Sequence, residues 1–212
     1  MRYERKYRLE QAALPVVEQV IRQHPAGFRP LHPPRWINNL YFDTPDFQFF
    51  KDNVVGAPQR LKYRLRWYGR PFAALSNPVL EVKIKDNMVG RKAYHRLPAR
   101  TYPAADLPQL IELCRERAGL GKELQPLLFN SYHRSYWGAP ALPFRLTIDS
   151  QLQFGAYRPL LAPKLPYRDE AVVVEVKYDA AQDEQSAFVL QHLPFRLSKN
   201  SKYVTGVNFV YG

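Results

Sequence analysis

No stretch restricts the fold of this chain more than QRLKYRLRWYG, residues 59–69. Read as a β-strand, its side chains alternate faces, so Arg60, Lys62, Arg64 and Arg66 fall on one side and Leu61, Tyr63, Leu65 and Trp67 on the other. Same-face neighbours on a strand sit about 6.7 Å apart. Two unit charges at that distance repel by about 2.5 kcal/mol at an effective dielectric of 20, against about 0.6 in water. Three such pairs in an enclosed space would rival the roughly 5–15 kcal/mol that holds a domain folded. The row therefore faces open water or something strongly anionic, and for one strand alone a solvated sheet face is the simpler reading.

The same division recurs along the chain. Glu4, Lys6 and Arg8 share a face over Tyr3–Leu9, and Glu81, Lys83 and Lys85 oppose Leu80, Val82 and Ile84 over Pro78–Lys85. Lys92, Tyr94 and Arg96 share a face across Arg91–Leu97. Arg145, Thr147 and Asp149 alternate with Leu146 and Ile148, and Val173, Glu175 and Lys177 alternate with the apolar residues of Ala171–Asp179. Trp36–Asp43 and Leu152–Tyr157 read as further strands. Phe129–Trp137 reads as a strand of mixed polarity, with Tyr132, Arg134 and Tyr136 on one side. Apolar residues at helical spacing predict helices over Leu14–His24, over Leu107–Cys114 up to Gly119, and from about Gln182. Thr44 and Pro45 predict the start of a short helix reaching toward Gly56 after a Pro-rich loop that ends near Arg35. Lys199 and Lys202 straddle a polar turn near the end.

With 212 residues and 46% apolar side chains, the chain is long enough for one domain with a real core, spanning 1–212. Lys plus Arg number 31 against 19 Asp plus Glu, and a formal charge of +12 calls for a polyanionic partner. Cys114 is the only cysteine, which excludes an intramolecular disulfide and a cysteine-built zinc site. No apolar run approaches 18 residues and the chain opens directly on charged residues, so a cytoplasmic location is expected. The five histidines lack ligand spacing, and GLGKE around Lys122 lacks the spacing of a phosphate-binding loop. Cys114, Trp67, Tyr94 and Tyr132 read as core or wall positions.

Charged faces on at least five strands, with few helices to cover the apolar side, favour a fold that removes sheet edges. The expected class is α+β, a closed antiparallel β-barrel of about eight strands whose charged faces line a cationic lumen, with the helices packed outside. Arg60, Arg64, Arg66, Lys83 and Lys92 would line that lumen, joined by the same-face cations Lys85, Arg96, Arg145 and Lys177. Arg60 and Lys62 lie nearest the strand start, at the lumen mouth. Such a site is untenable empty and favourable when it holds phosphate oxygens. Glu4 and Glu81 read evenly as partners of lumen lysines or as metal ligands, and Asp149 as a partner of Arg145 or a turn residue ending its strand.

ERK near the N-terminus, YFDT, LKYRLRWYG, LEVKIK, the R-x-T-x-D strand, VVEVKYD and the closing SKYVTG together resemble the VTC domain of polyphosphate polymerases, of the triphosphate tunnel metalloenzyme (CYTH-like) group. The resemblance spans nearly the whole chain in order. It implies a β-tunnel in which ATP, a divalent metal (Mn2+ or Mg2+) and inorganic polyphosphate meet, with the γ-phosphate passed to the polymer end. It also implies phosphate contacts from Lys6, Arg64, Arg66, Lys83, Lys92, Arg134, Lys199 and Lys202, and a metal ligand in Glu175. Among these, Arg64, Arg66, Lys83, Arg134 and Lys202 are the candidates for the reacting phosphoryl group.

Phosphoryl transfer asks mainly for positioning and charge neutralisation, which Arg, Lys and a divalent ion supply. Taken alone, Glu175 beside Lys177 reads as a cross-strand ion pair; facing a cationic lumen it reads instead as a metal ligand. A triphosphate hydrolase or cyclase of the same fold, and a non-catalytic polyphosphate- or nucleic-acid-binding module, are the alternatives. Nucleic acid is the weaker partner of these, and a separate membrane-embedded chain would be needed for export of product.

Overall fold

The computed structural model describes residues 2–87 and 89–212. In chain order the elements are β1 (Arg2–Leu9), α1 (Leu14–Gln23), β2 (Arg29–Asp43), α2 (Gln48–Val55), β3 (Gln59–Tyr68), β4 (Leu75–Asp86), β5 (Val89–Arg96) and β6 (Thr101–Tyr102). They continue with α3 (Leu107–Ala118), β7 (Gln125–Ala139), β8 (Leu142–Ala156), β9 (Tyr167–Asp169), β10 (Val172–Asp179), α4 (Asp183–Gln191) and α5 (Lys202–Tyr211). The strands hydrogen-bond in the order β1-β10-β8-β7-β2-β3-β4-β5, with β6 on β4 and β9 on β8. Two compact units emerge: residues 1–35, 132–152 and 169–200 form the first, and residues 36–131, 153–168 and 201–212 the second.

The expected closed barrel is not what forms. The ladder is open, ending at β1 and β5, and among the described residues no pairing joins those two strands. The edge problem that made closure attractive is met by other means. Beside β1, the Ser198 backbone donates to Lys6 O at 2.8 Å and Ser198 Oγ accepts from Arg8 N at 2.8 Å. On β5 the exposed Arg91, Lys92 and Arg96 deter a foreign strand. Among the described residues the sheet also has ten strands rather than about eight.

In the first unit, the apolar faces of β1, β8 and β10 present Tyr7, Leu146, Ile148, Val174, Val176 and Tyr178 to Val17 and Ile21 of α1 and Val189 of α4. Pro15 opens α1 in its first turn, where the missing N–H has no intrahelical partner to lose. In the second unit, Leu40, Leu65, Trp67 and Leu80 pack on Leu107, Leu110, Ile111 and Cys114 of α3. Cys114 is a core residue as expected, and burial pushes its thiol up to about 12, which leaves it unreactive.

Local differences from the sequence reading have identifiable causes. β2 begins at Arg29, inside the Pro-rich stretch, and its first seven residues are exposed, so Pro33 and Pro34 sit where a strand tolerates missing donors. β8 runs unbroken from Leu142 to Ala156 because Gln151, at φ 53°, absorbs the irregularity alone. α2 starts at Gln48, since the Asp43 carboxylate accepts from the backbone N–H of Thr44, Phe49 and Phe50 at 2.7, 2.9 and 3.0 Å.

The largest difference is α5, where a polar turn was expected. Ser201 caps it, accepting from Val204 N at 3.4 Å. Tyr203 stacks on Tyr41 at 5.0 Å and donates its hydroxyl to Asp43. Since Tyr41 shares its sheet face with Arg64, this helix packs on the charged face and not outside it. Gly206 permits the approach: a Cβ there would stand 2.5 Å from Phe154 Cδ1 and 2.7 Å from Leu128 Cδ2. Gly206→Val is therefore expected to lower stability by about 2 kcal/mol through overpacking. A urea midpoint equal to the parent protein's would show that α5 does not dock there.

Candidate functional site

In the second unit, antiparallel register turns the alternation of single strands into rungs. Lys62 pairs with Lys83 and Lys83 with Lys92, so three lysines from β3, β4 and β5 lie side by side. Arg60 pairs with Lys85 on one side of that rung; on the other, Arg64 pairs with Glu81 and Glu81 with Tyr94. The next rung is Arg66, Val79 and Arg96. This face thus gathers Arg60, Lys62, Arg64, Arg66, Lys83, Lys85, Lys92 and Arg96 around one carboxylate, Glu81.

Glu81 is what makes the centre tolerable. Arg64 donates through Nε at 2.8 Å and through Nη2 to the same oxygen, while Arg66 donates to the other at 3.2 Å and to Asn39 Oδ1 at 3.0 Å. Glu81 is buried, which by itself would raise its pKa, but Arg64, Arg66 and Lys92 hold it below the usual carboxylate value. Sequence alternation left Glu81 between pairing with lysines and binding metal; the register gives it hydrogen bonds from two arginines, with Lys92 also favouring its charge. Asn39 carried no signal in the sequence. Lys62 Nζ donates to Ser201 Oγ at 2.8 Å, and Lys202 begins α5 one residue on.

The first unit builds a different lattice. Glu4 faces Lys177 across β1 and β10, and Lys6 faces Glu175. Lys6 Nζ lies 3.6 Å from Glu175 and 3.9 Å from Glu4, while Lys177 pairs with Glu175 and lies 3.9 Å from Glu4. Two carboxylates and two ammonium groups close a square. Burial works against the Glu175 charge, and Lys177, Lys6 and Arg134 overcome it, leaving Glu175 well below the ordinary carboxylate range.

Arg134 and Asp149 sit next to this square. Arg134 donates through Nη2 at 2.7 Å and through Nε to the two Asp149 oxygens. Burial would lower the guanidinium pKa, but Asp149 keeps it well above its ordinary value. Asp149 therefore serves Arg134 rather than Arg145. The signal was present: only Pro140 and Ala141 separate β7 from β8, and counting out from that turn brings 134 and 149 within two residues of register. Arg145 faces Lys177 across β8 and β10 and is exposed, and Lys199 is exposed in the segment before α5.

Among the described residues no three of His, Cys, Asp and Glu converge as a metal cage. Glu175, with Glu4 beside it, fits a hard divalent ion that takes most of its oxygens from phosphate and water. No helix among the described residues is long and apolar enough to cross a membrane.

Both carboxylates have native pKa values below the roughly 4.3 of a free Glu. The stability that their charges contribute is thus fully present above that value and lost as pH falls through the lower native ones. Glu81→Gln and Glu175→Gln are expected to be less stable than the parent at pH 7, with the gap narrowing on acidification below about pH 4. A gap constant between pH 7 and pH 3 in denaturant titrations would refute the pairing.

The sequence profile described as the VTC domain matches residues 1–211. Direct comparison with curated proteins finds no match. Among solved structures, a protein from Pyrococcus horikoshii OT3 superposes with a TM-score of 0.53 at 12% identity, covering 96% of this chain and 95% of that one. A "putative adenylate cyclase" from Vibrio parahaemolyticus gives 0.53 at 12% identity, over 96% of this chain and 97% of that one. Another protein so named, from Bacillus halodurans, gives 0.52 at 12% identity, over 94% and 96%. At such identity the likeness is one of fold.

Proposed function

We propose, on the premise that the chain belongs to the VTC domain family, that it is a metal-dependent polyphosphate polymerase drawing its phosphoryl group from ATP. The observation that carries this reading is the rung of Lys62, Lys83 and Lys92 set between Arg60–Lys85 and Arg64–Arg66. Charges about 5 Å apart repel by about 3 kcal/mol at an effective dielectric of 20. A chain of phosphates lying along the face converts that repulsion into attraction. Lys62, through Ser201, and Lys202 add cations at the N-terminus of α5, an end that already favours anions.

In the reaction an oxygen of the terminal phosphate of polyphosphate attacks the γ-phosphorus of ATP. The bond from that phosphorus to the β–γ bridging oxygen breaks and ADP leaves. Arg64, Arg66, Lys83 and Lys202 of the second unit spread the charge of the transferring group, the guanidinium forks gripping two oxygens at once, and Arg134 of the first unit is a phosphate contact. Arg60, Lys62, Lys85, Lys92 and Arg96 of the second unit hold the flanking phosphates, and Lys6, Arg145, Lys177 and Lys199 of the first unit are further phosphate contacts. Glu175, with Glu4, would hold Mg2+ or Mn2+, which when bound supplies further neutralisation of phosphate oxygens. Asp149 fixes the plane of the Arg134 guanidinium.

A second reading is cyclisation of ATP, favoured by the fold shared with two proteins named as adenylate cyclases. Products separate the two. Incubation with ATP and Mn2+ is expected to yield long polyphosphate on a gel together with ADP. Arg64→Ala and Glu175→Ala are each expected to lower the rate by about 100-fold. Cyclic AMP with pyrophosphate would replace the polymerase reading, free phosphate would mark a hydrolase, and no turnover would overturn all three.

A further inference from the structure

The cationic face of β3, β4 and β5 is interrupted at one place. A bulge shifts the ladder between Arg66 and Tyr68, and beside it a hollow of about 280 Å3 is lined by Arg66, Tyr68, Val79, Glu81, Tyr94 and Arg96. Val79 and the two tyrosines set uncharged side chains on a face where Arg60, Lys62, Arg64, Arg66, Lys83, Lys85, Lys92 and Arg96 also lie. Tyr94 is 57% exposed, so it serves no core, although its sequence pattern suggested a wall position. Nothing in a pure phosphate polymer has use for two phenol rings and an isopropyl group. A flat heteroaromatic ring does: tyrosine offers a stacking face, and an arginine plane stacks equally well. Glu81, one rung from the lysines, supplies an acceptor at the rim.

We infer that this hollow takes the nucleobase of a nucleoside triphosphate whose phosphates lie on the adjacent Arg64, Lys62, Lys83 and Lys92 positions, an inference that rests on the phosphate-binding reading above. Tyr94 is then the residue that distinguishes a nucleotide donor from an inorganic polyphosphate of the same charge. It sits across from Glu81 and two residues along β5 from Lys92, so the distance from base to phosphate is spanned by two residues of one strand.

The test measures binding of ATP and of inorganic tripolyphosphate, each with Mn2+, by calorimetry on the full chain and on Tyr94→Ala and Tyr94→Phe. Loss of a stacked base weakens binding by about 5- to 100-fold. Tyr94→Ala is expected to lose that factor for ATP alone, leaving tripolyphosphate unchanged, and Tyr94→Phe to bind both as the parent does. Equal weakening of both ligands in Tyr94→Ala, or no weakening of ATP, overturns the base site. If the parent binds tripolyphosphate but not ATP, the base site falls and phosphate binding stands; if it binds neither, both fall.

Discussion

Everything in the second unit turns on the Coulomb repulsion of its sheet face. Among the described residues of β3, β4 and β5, eight basic side chains gather around Glu81, which accepts hydrogen bonds from Arg64 and Arg66. Hydrophobic packing on the opposite face, Leu40, Leu65, Trp67 and Leu80 against α3, has to hold the strands together against it. The largest side chains are on that side, where Trp67 is buried beneath the arginines it alternates with. Strand alternation thus couples the two: each residue that adds a cation to one face is followed by one that adds grease to the other.

The first unit solves its electrostatics differently. Glu4, Lys6, Glu175 and Lys177 alternate in sign around a square, Arg134 is matched by Asp149, and Arg8 forks onto Asp169 at 2.8 and 3.0 Å. Local charge here is close to balanced. One unit therefore offers a surplus of cations and the other carboxylates already held in ionised form, the two things that a phosphate chain and a hard metal ion require of a protein.

The longer strands, the charged faces of β1, β3, β4, β5, β8 and β10 and the three helices α1, α3 and α4 were legible in the sequence because each follows from a period of 2 or 3.6 that a single segment displays; the mixed pattern of β7 left the face of Arg134 open. Pairing was not legible. Which arginine meets which carboxylate depends on register between segments, so neither the Arg134–Asp149 pair nor the grip of Arg64 and Arg66 on Glu81 could be read from single strands. α5 was missed because it buries only Tyr203, Gly206 and Val207, a pattern in which a glycine takes the place of an apolar marker. Closure was inferred from the need to remove edges, and the chain covers one edge with Ser198 and charges the other instead.

Tyr203 ties these themes together. Its hydroxyl donates to Asp43, and burial and that carboxylate raise its pKa well above the ordinary phenol value. Asp43 accepts from three backbone N–H groups, from the Thr44 hydroxyl and from the Tyr203 phenol, all of them neutral donors. A carboxylate in that position satisfied by a lysine would have removed one cation from the face that Tyr41 and Arg64 share. Neutral donors at Asp43 anchor α5 to the sheet while leaving the cationic surplus intact, which is the property that an anion-binding face most needs from its scaffold.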